Sequence, residues 1–134
     1  MKKTIASIMT TLAIASSMFA MPAFAGGSNN YRNLAGSWNG MTNFLPGFEY
    51  FTNMTLTQDA SGNLTGTFCT QYCAPVNGKW RNAFQFELRI EGSQLVGWMN
   101  DPITCSDGSI GNWINGSVQT KGSIGTFSYT TCAN

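Results

Sequence analysis

The sequence contains no histidine, and only 10% of its 134 residues are charged. Without histidine the chain has no imidazole to act as a general base, to assist a nucleophile or to bind a metal ion. Seven Lys and Arg against six Asp and Glu do not form the basic stripe that nucleic-acid binding requires. These absences argue against histidine-dependent catalysis, histidine metal sites and nucleic-acid partners.

Residues 1–25 have the pattern of a secretory signal peptide. Two lysines precede an apolar segment at residues 5–19, and Ala23-Phe24-Ala25 is a small-residue cleavage site. The apolar segment is short and interrupted by Ser and Thr, which does not suit a membrane span; a retained N-terminal anchor is the alternative. We expect cleavage after Ala25, a secreted or periplasmic location, and one domain at residues 26–134 without a membrane span.

All four cysteines lie in the expected mature part of the chain, at Cys69, Cys73, Cys105 and Cys132. An even number of cysteines in an exported chain favours two disulfides. Zinc is the alternative, but Cys-x3-Cys followed by two isolated cysteines is not a paired zinc-knuckle spacing. We expect two disulfides, no metal ion and no other cofactor.

Short aromatic and β-branched runs alternate with clusters of Asn, Gly, Asp and Ser, which is typical of an all-β meander. The fifth run alternates most clearly, with apolar residues at even positions from 84 to 90 and with Gln85, Glu87 and Arg89 on a solvated face. The predicted strands are 34–41, 50–58, 63–70, 75–80, 83–90, 94–100, 112–120 and 123–131.

Eight short strands joined by tight turns either leave two open sheet edges or close on themselves, and closure removes the edges. We predict an antiparallel up-and-down β-barrel, with a two-sheet sandwich as the alternative. In that barrel Cys69 and Cys73 lie at one end, whereas Cys105 and Cys132 lie at the other. The topology therefore predicts the pairs Cys69–Cys73 and Cys105–Cys132.

Three segments resemble the avidin and streptavidin family. They are Leu34-Ala-Gly-Ser-Trp-Asn39, the run from Met54 to Phe68 that contains Leu64-Thr-Gly-Thr-Phe68, and Val76-Asn-Gly-Lys-Trp80. The resemblance covers residues 34–80, and the Gly-x-Trp motif of its first strand also opens lipocalins. It implies an eight-stranded barrel with a ligand inside its mouth.

Compared with the biotin site of that family, several positions differ. Gly40 stands where the family has Asn, Phe68 replaces the tyrosine that donates to the ureido oxygen, and Ile90 aligns with a tryptophan. The last strand, 124–129, offers no Asp or Asn to the ureido nitrogen, whereas Thr70 keeps its hydroxyl. Each lost hydrogen bond to a buried ureido group costs about 1–3 kcal/mol, so high-affinity biotin binding is not expected.

We predict a non-catalytic binding protein that captures a small ligand at the barrel mouth. Aromatic side chains with a few hydroxyl groups are the usual lining of such sites, although in a small barrel the same aromatics also suit a filled core. The candidate site residues are Trp38, Thr42, Phe68, Thr70, Trp98 and Trp113.

Two loops, one polar and one apolar, suggest other functions. The loop at 101–112 contains two carboxylates and suits either a calcium site or, more simply, a disulfide-stapled turn. The loop at 42–49 carries Phe44, Leu45 and Phe48, which either cap the barrel or contact a partner. The alternatives are thus a protein-interaction module, such as a secreted hydrolase inhibitor, and a carbohydrate-binding module that uses exposed Trp and Asn.

Catalysis is not expected, because no two of the six carboxylates form an evident inward pair and oxidised cysteines supply no thiol nucleophile. The partners that remain are a small-molecule ligand or a secreted protein. A solvated outer face on the fifth strand argues for a monomer or small oligomer rather than an avidin-type tetramer.

Overall fold

The computed structural model of the chain describes residues 31–44 and 47–133. The predicted signal peptide and Leu45 lie outside the described residues. Within them the protein is all-β, and no helix there is long and apolar enough to cross a membrane. The strands are β1 Gly36–Phe44, β2 Phe48–Gln58, β3 Asn63–Cys69, β4 Cys73–Trp80, β5 Phe86–Ile90, β6 Ser93–Met99, β7 Ile103–Thr104, β8 Ile110–Gly111, β9 Trp113–Thr120 and β10 Ser123–Thr130.

Eight of these strands close into one antiparallel barrel. From β1 to β6 each strand pairs with the next along the chain; β6 then pairs with β9, β9 with β10, and β10 returns to β1. The up-and-down barrel predicted from the sequence is therefore confirmed. Neighbouring strands are also neighbours in sequence, so short turns suffice, and closure removes the sheet edges.

The barrel is narrow enough that several inward positions admit only glycine. A Cβ added to Gly66 would lie 1.8 Å from the carbonyl oxygen of Thr55 on the adjacent strand. Glycine at such points lets strands coil tightly and approach each other closely. Six of the barrel strands each contain such an inward glycine, and these are Gly40, Gly66, Gly78, Gly97, Gly116 and Gly125.

The remaining inward side chains form a single hydrophobic core. Trp38, Met54, Phe86 and Tyr129 are among its largest members, and each is almost completely buried. Phe86 contacts Trp80 edge-on, with 5.5 Å between the ring centroids. Trp80 is thus a core residue, although the sequence pattern did not decide which way it faces.

Residues 31–35 pack across the end of the barrel where β2, β4 and β6 finish. The Tyr31 ring stacks on Trp80, and Leu34 is fully buried. Gln58 joins the segment to the barrel, since its Oε1 accepts from the Leu34 amide and from the Trp80 indole while its Nε2 donates to the Arg32 carbonyl. The β7–β8 hairpin lies at this same end of the barrel.

Both predicted disulfides are confirmed. Cys69 is bonded to Cys73 across the β3–β4 turn, and Cys105 is bonded to Cys132, which follows β10. The two bridges lie at opposite ends of the barrel, as the up-and-down order requires. Disulfides of this kind fit an extracellular or periplasmic protein.

The fifth strand differs from its prediction at its start and on its outer face. It begins at Phe86 because the Asn82 side chain accepts from the amides of Phe84 and Gln85 and holds a turn there. Phe84 therefore leaves the barrel wall and is 82% exposed. Glu87 does face outward, but it is only 7% exposed because it forms ion pairs with neighbouring arginine side chains.

Candidate functional site

Trp38 and Thr42 lie inside the barrel on β1, where neither side chain reaches solvent. The Trp38 indole donates to the carbonyl oxygen of Leu34 at 2.9 Å. The Thr42 hydroxyl is hydrogen-bonded to those of Thr52, at 2.8 Å, and Tyr129. Their polar atoms are thus already engaged by other residues of the core.

These three hydroxyl groups form a small polar cluster within an otherwise apolar interior. Burial raises the pKa of Tyr129 to about 12, although the hydrogen bonds from the two threonines oppose the rise. The Tyr129 phenol therefore stays protonated at every physiological pH. A buried polar group without a partner would cost about 1–3 kcal/mol, so this mutual pairing is what makes the cluster tolerable.

Phe68 and Thr70 lie where β3 ends and the β3–β4 turn begins. Phe68 is half-buried and packs against the core, whereas Thr70 is exposed in the turn closed by the Cys69–Cys73 disulfide. The Thr70 amide donates to the Tyr72 carbonyl. Thr70 thus lies in an exposed turn and does not face the interior.

Trp98 and Trp113 lie on the outside of the barrel. Trp98, on β6, is 45% exposed, and Trp113, at the start of β9, is half-buried. Together they line a shallow depression of about 520 Å³ on the outer face of four adjacent strands, which we call the outer groove. Its lining comprises Met41, Asn43, Trp98, Trp113, Asn115, Gly116, Ser117, Thr126, Phe127 and Ser128.

The six predicted site residues thus separate into three places. Trp38, Thr42 and Phe68 face the interior, Thr70 lies in the exposed β3–β4 turn, and Trp98 and Trp113 line one depression on the outer face.

Hydrogen bonds fix several side chains of the outer groove. The Trp113 indole nitrogen donates to the Ser128 hydroxyl on the neighbouring strand at 2.8 Å. Asn100 donates from its amide nitrogen to Oδ1 of Asn115. A Trp ring that is held in one orientation loses less conformational entropy when a ligand stacks on it, so this bond preorganises the groove.

Three further polar side chains of the outer groove make no side-chain hydrogen bond to the described residues. They are Asn43 on β1, Thr126 on β10 and Ser117 on β9, which are directly opposite one another in the strand register. Oδ1 of Asn43 is buried and has no partner among the described residues. The exposed hydroxyl groups of Thr126 and Ser117 are available to a ligand, whereas Oδ1 of Asn43 has to be uncovered before it can accept from one.

Among the described residues, no ionisable side chain lines the outer groove. A dense group of charges lies elsewhere, on β5 and just after β4, where Glu87 contacts Arg81 at 2.8 Å and Arg89 at 3.1 Å. The Arg81 hydrogen bond and the adjacent positive charges hold the pKa of Glu87 below its usual value against the effect of burial. The groove is consequently neutral at physiological pH.

The loop at 101–112 forms the β7–β8 hairpin, and the disulfide to Cys132 holds it at Cys105, the first residue of its turn. The Asp107 carboxylate accepts from both the amide and the hydroxyl of Ser109, which lowers the pKa of Asp107. Asp107 is thus used to hold the turn. Among the described residues no group of three or more His, Cys, Asp or Glu is placed to bind a metal ion.

The apolar loop between β1 and β2 is used in two ways. Phe44 is half-buried and meets Tyr50 edge-on at 6.0 Å, so it covers that end of the core. Phe48 is exposed.

The chain matches no protein-family model and no curated protein sequence.

Sequence reasoning missed the polar half of the outer groove. A signal was present in β10, where Thr126 and Ser128 alternate with the buried Gly125, Phe127 and Tyr129. It showed which residues face outward. It did not show which neighbouring strands would complete a site with them.

Proposed function

We propose that the protein is an exported, non-catalytic carbohydrate-binding protein whose ligand lies in the outer groove. The observation that carries this proposal is the pairing of Trp98 and Trp113 with three unengaged polar side chains in a neutral depression. An export signal, a secreted or periplasmic location and an avidin-like outline are parts of the same proposal. They are supported by the predicted leader, the two disulfides and the strand motifs at residues 34–80.

Carbohydrate suits this groove better than other ligand classes for chemical reasons. A neutral sugar offers C–H groups, which pack against the face of an indole ring, and hydroxyl groups, which exchange hydrogen bonds with Asn, Ser and Thr. Anionic polymers such as nucleic acids would lack a cationic partner in the groove. A purely apolar ligand would leave Asn43, Thr126 and Ser117 desolvated without hydrogen bonds.

The barrel mouth is a weaker location for a ligand. A molecule that reached Thr42 would have to displace the hydrogen bonds of Thr52 and Tyr129, and Trp38 is covered by residues 31–35. The outer groove requires no such displacement. We therefore propose capture on the outer face of the barrel.

Replacement of Trp98 or Trp113 by Ala tests this function. Binding of neutral oligosaccharides is measured by isothermal titration calorimetry, and each variant should lose at least about tenfold in affinity, as is usual for truncating an aromatic anchor. Tyr72→Ala removes an aromatic that is even more exposed, at 82%, from the β3–β4 turn and should leave affinity unchanged. If the wild-type protein binds no neutral glycan of a broad panel, the proposed function is wrong.

A protein-interaction role is the second candidate, because the stapled β7–β8 hairpin presents Ile110 with 72% of its surface exposed. A rigid hairpin with an exposed apolar side chain on one strand is suited to insertion into a pocket of a secreted hydrolase. In that case the protein would inhibit such an enzyme, and Ile110→Asp would abolish inhibition while glycan binding persisted.

A further inference from the structure

The outer groove continues beyond its own lining, and this extension bears on the kind of glycan it takes. We infer that the protein binds the internal part of an extended neutral glycan chain, along a strip that runs from Trp98 on β6 to Phe51 on β2. This inference rests on the proposed function. We call these residues and those between them the aromatic strip.

The strand register places the members of the aromatic strip in one row. Trp98 is opposite Asn115, Asn115 is opposite Ser128, Ser128 is opposite Met41, and Met41 is opposite Phe51. Since paired residues in a sheet point to the same face, all five side chains project outward. The row therefore crosses five neighbouring strands without passing through the core.

The apolar members of the strip are open to solvent at both of its ends. Trp98 is 45% exposed, Met41 37% and Phe51 50%. Large apolar side chains that line up on an otherwise polar surface mark a contact site more often than isolated ones do. The tryptophan and the phenylalanine thus supply stacking surfaces at the two ends, and Met41 lies beside the phenylalanine.

The length of the strip favours a chain over a single sugar. Four steps between adjacent strands, each about 4.8 Å, give an arc of about 19 Å around the barrel. A monosaccharide or disaccharide would contact only one end of such an arc. These are four of the eight steps around the closed barrel, so a chain that contacts both Trp98 and Phe51 has to curve with the barrel wall.

A polar row runs beside the aromatic strip. Asn43, Thr126 and Ser117 occupy the outward positions two residues further along the same three strands, in register with one another. A chain lying on the strip would expose the hydroxyl groups of successive sugars to this row. Stacking below and hydrogen bonding at the side are therefore available at several consecutive sugars.

The charge distribution narrows the ligand to neutral glycans. Neither the aromatic strip nor the polar row contains a lysine or arginine. Beside them, the Arg32 guanidinium is already bonded to the carbonyl oxygens of Met99 and Asn100, and Glu49 is in register with Asn43. The strip itself therefore offers uronic acids and sulfated sugars no cationic partner. The chemistry fits chains of glucose, xylose or N-acetylglucosamine units.

The test measures affinity against chain length. Calorimetry with disaccharides to hexasaccharides of the cello-, xylo-, malto- and chito- series should show affinity that rises with length by at least about tenfold overall. Phe51→Ala should lose about tenfold in affinity for the longest oligosaccharide and should not change the affinity for the disaccharide. Trp98→Ala should weaken the long oligosaccharides as well.

Tyr72→Ala is the matched control, because it removes an exposed aromatic away from the strip. Far-UV circular dichroism and urea unfolding establish that each variant folds as the wild type does. If glycans bind but affinity is independent of chain length and of Phe51, the extended strip is wrong and the outer groove remains a site for short ligands.

Absence of binding to every glycan overturns the proposed function and this inference together. Sedimentation of the wild type without glycan tests whether a second copy of the chain occupies the strip. A dimer that dissociates in Phe51→Ala or Trp98→Ala would show that a second copy of the chain covers the strip, which also overturns the inference.

Discussion

The Tyr129→Phe variant tests the buried hydroxyl cluster, since it removes one hydroxyl and keeps the aromatic ring in the core. At pH 8 the phenol of the wild type is protonated in both the folded and the unfolded chain. The variant then loses the hydrogen bonding of the phenol to the threonine hydroxyls, while Thr42 and Thr52 keep each other as partners. The free energy of unfolding should fall by about 1 kcal/mol.

At higher pH the difference should change sign. An unfolded tyrosine ionises near pH 10, whereas the pKa of Tyr129 in the folded protein is about 12. Between about pH 10 and pH 12 the unfolded wild type therefore releases a proton that the folded protein keeps, and the wild type loses about 1.4 kcal/mol of stability per pH unit. The variant has no phenol at this position and avoids the loss.

The wild type should have the larger free energy of unfolding below pH 10. This difference from the variant should vanish between about pH 10.5 and pH 11 and reverse above that range. Urea unfolding followed by circular dichroism at pH values from 8 to 11 measures both curves. Tyr72→Phe controls for the loss of an exposed phenol. A stability difference that stays constant over the whole range would refute a buried, proton-retaining Tyr129.

Two further predictions concern the parts that hold the barrel together. Replacing Cys105 and Cys132 by Ser should cost about 3–4 kcal/mol of unfolding free energy, because that bridge spans 27 residues. Removing the Cys69–Cys73 bridge, which spans 4 residues, should cost about 2 kcal/mol. Urea unfolding compares the two, and equal losses would contradict the loop-length argument. Leu34→Ala should cost about 2–5 kcal/mol by the same assay, since the side chain is fully buried, and a loss under about 1 kcal/mol would mean that residues 31–35 do not close the barrel.

The barrel itself was predictable because its determinants are local. Turn residues between short apolar runs mark where each strand ends, and a meander of eight such strands has few ways to pair. The disulfide pairing followed from the same topology, since Cys69 and Cys73 share one end of the barrel and Cys105 and Cys132 share the other.

The boundaries that differed have local causes that alternation alone does not reveal. The apolar pattern continued back to residue 84, yet the Asn82 side chain captures two amides and begins a turn there. Glu87 has the outward position that its polarity suggests. It is nevertheless buried, because long arginine side chains lie over it and neutralise its charge.

The site was less predictable because β6 has large apolar residues on both faces and because Trp113 stands at the very start of β9. Trp98 follows Leu95 and Val96, and Trp113 precedes Ile114, so hydrophobicity does not say which residue enters the core. Aromatic residues were therefore assigned to one mouth when some belong to the wall. Their burial depends on which positions the barrel interior has room for.

By itself the sequence determined the strands, the closed barrel and the two disulfides, since alternation, turn residues and chain order are properties of neighbouring residues. Only the tertiary structure decided that Trp98, Ser117, Thr126 and Asn43 share one surface. Closure of β10 on β1 and of β9 on β6 joins strands that are far apart or separated by a hairpin in the chain. Their register fixes which outward side chains meet, and that register exists only once the barrel has closed.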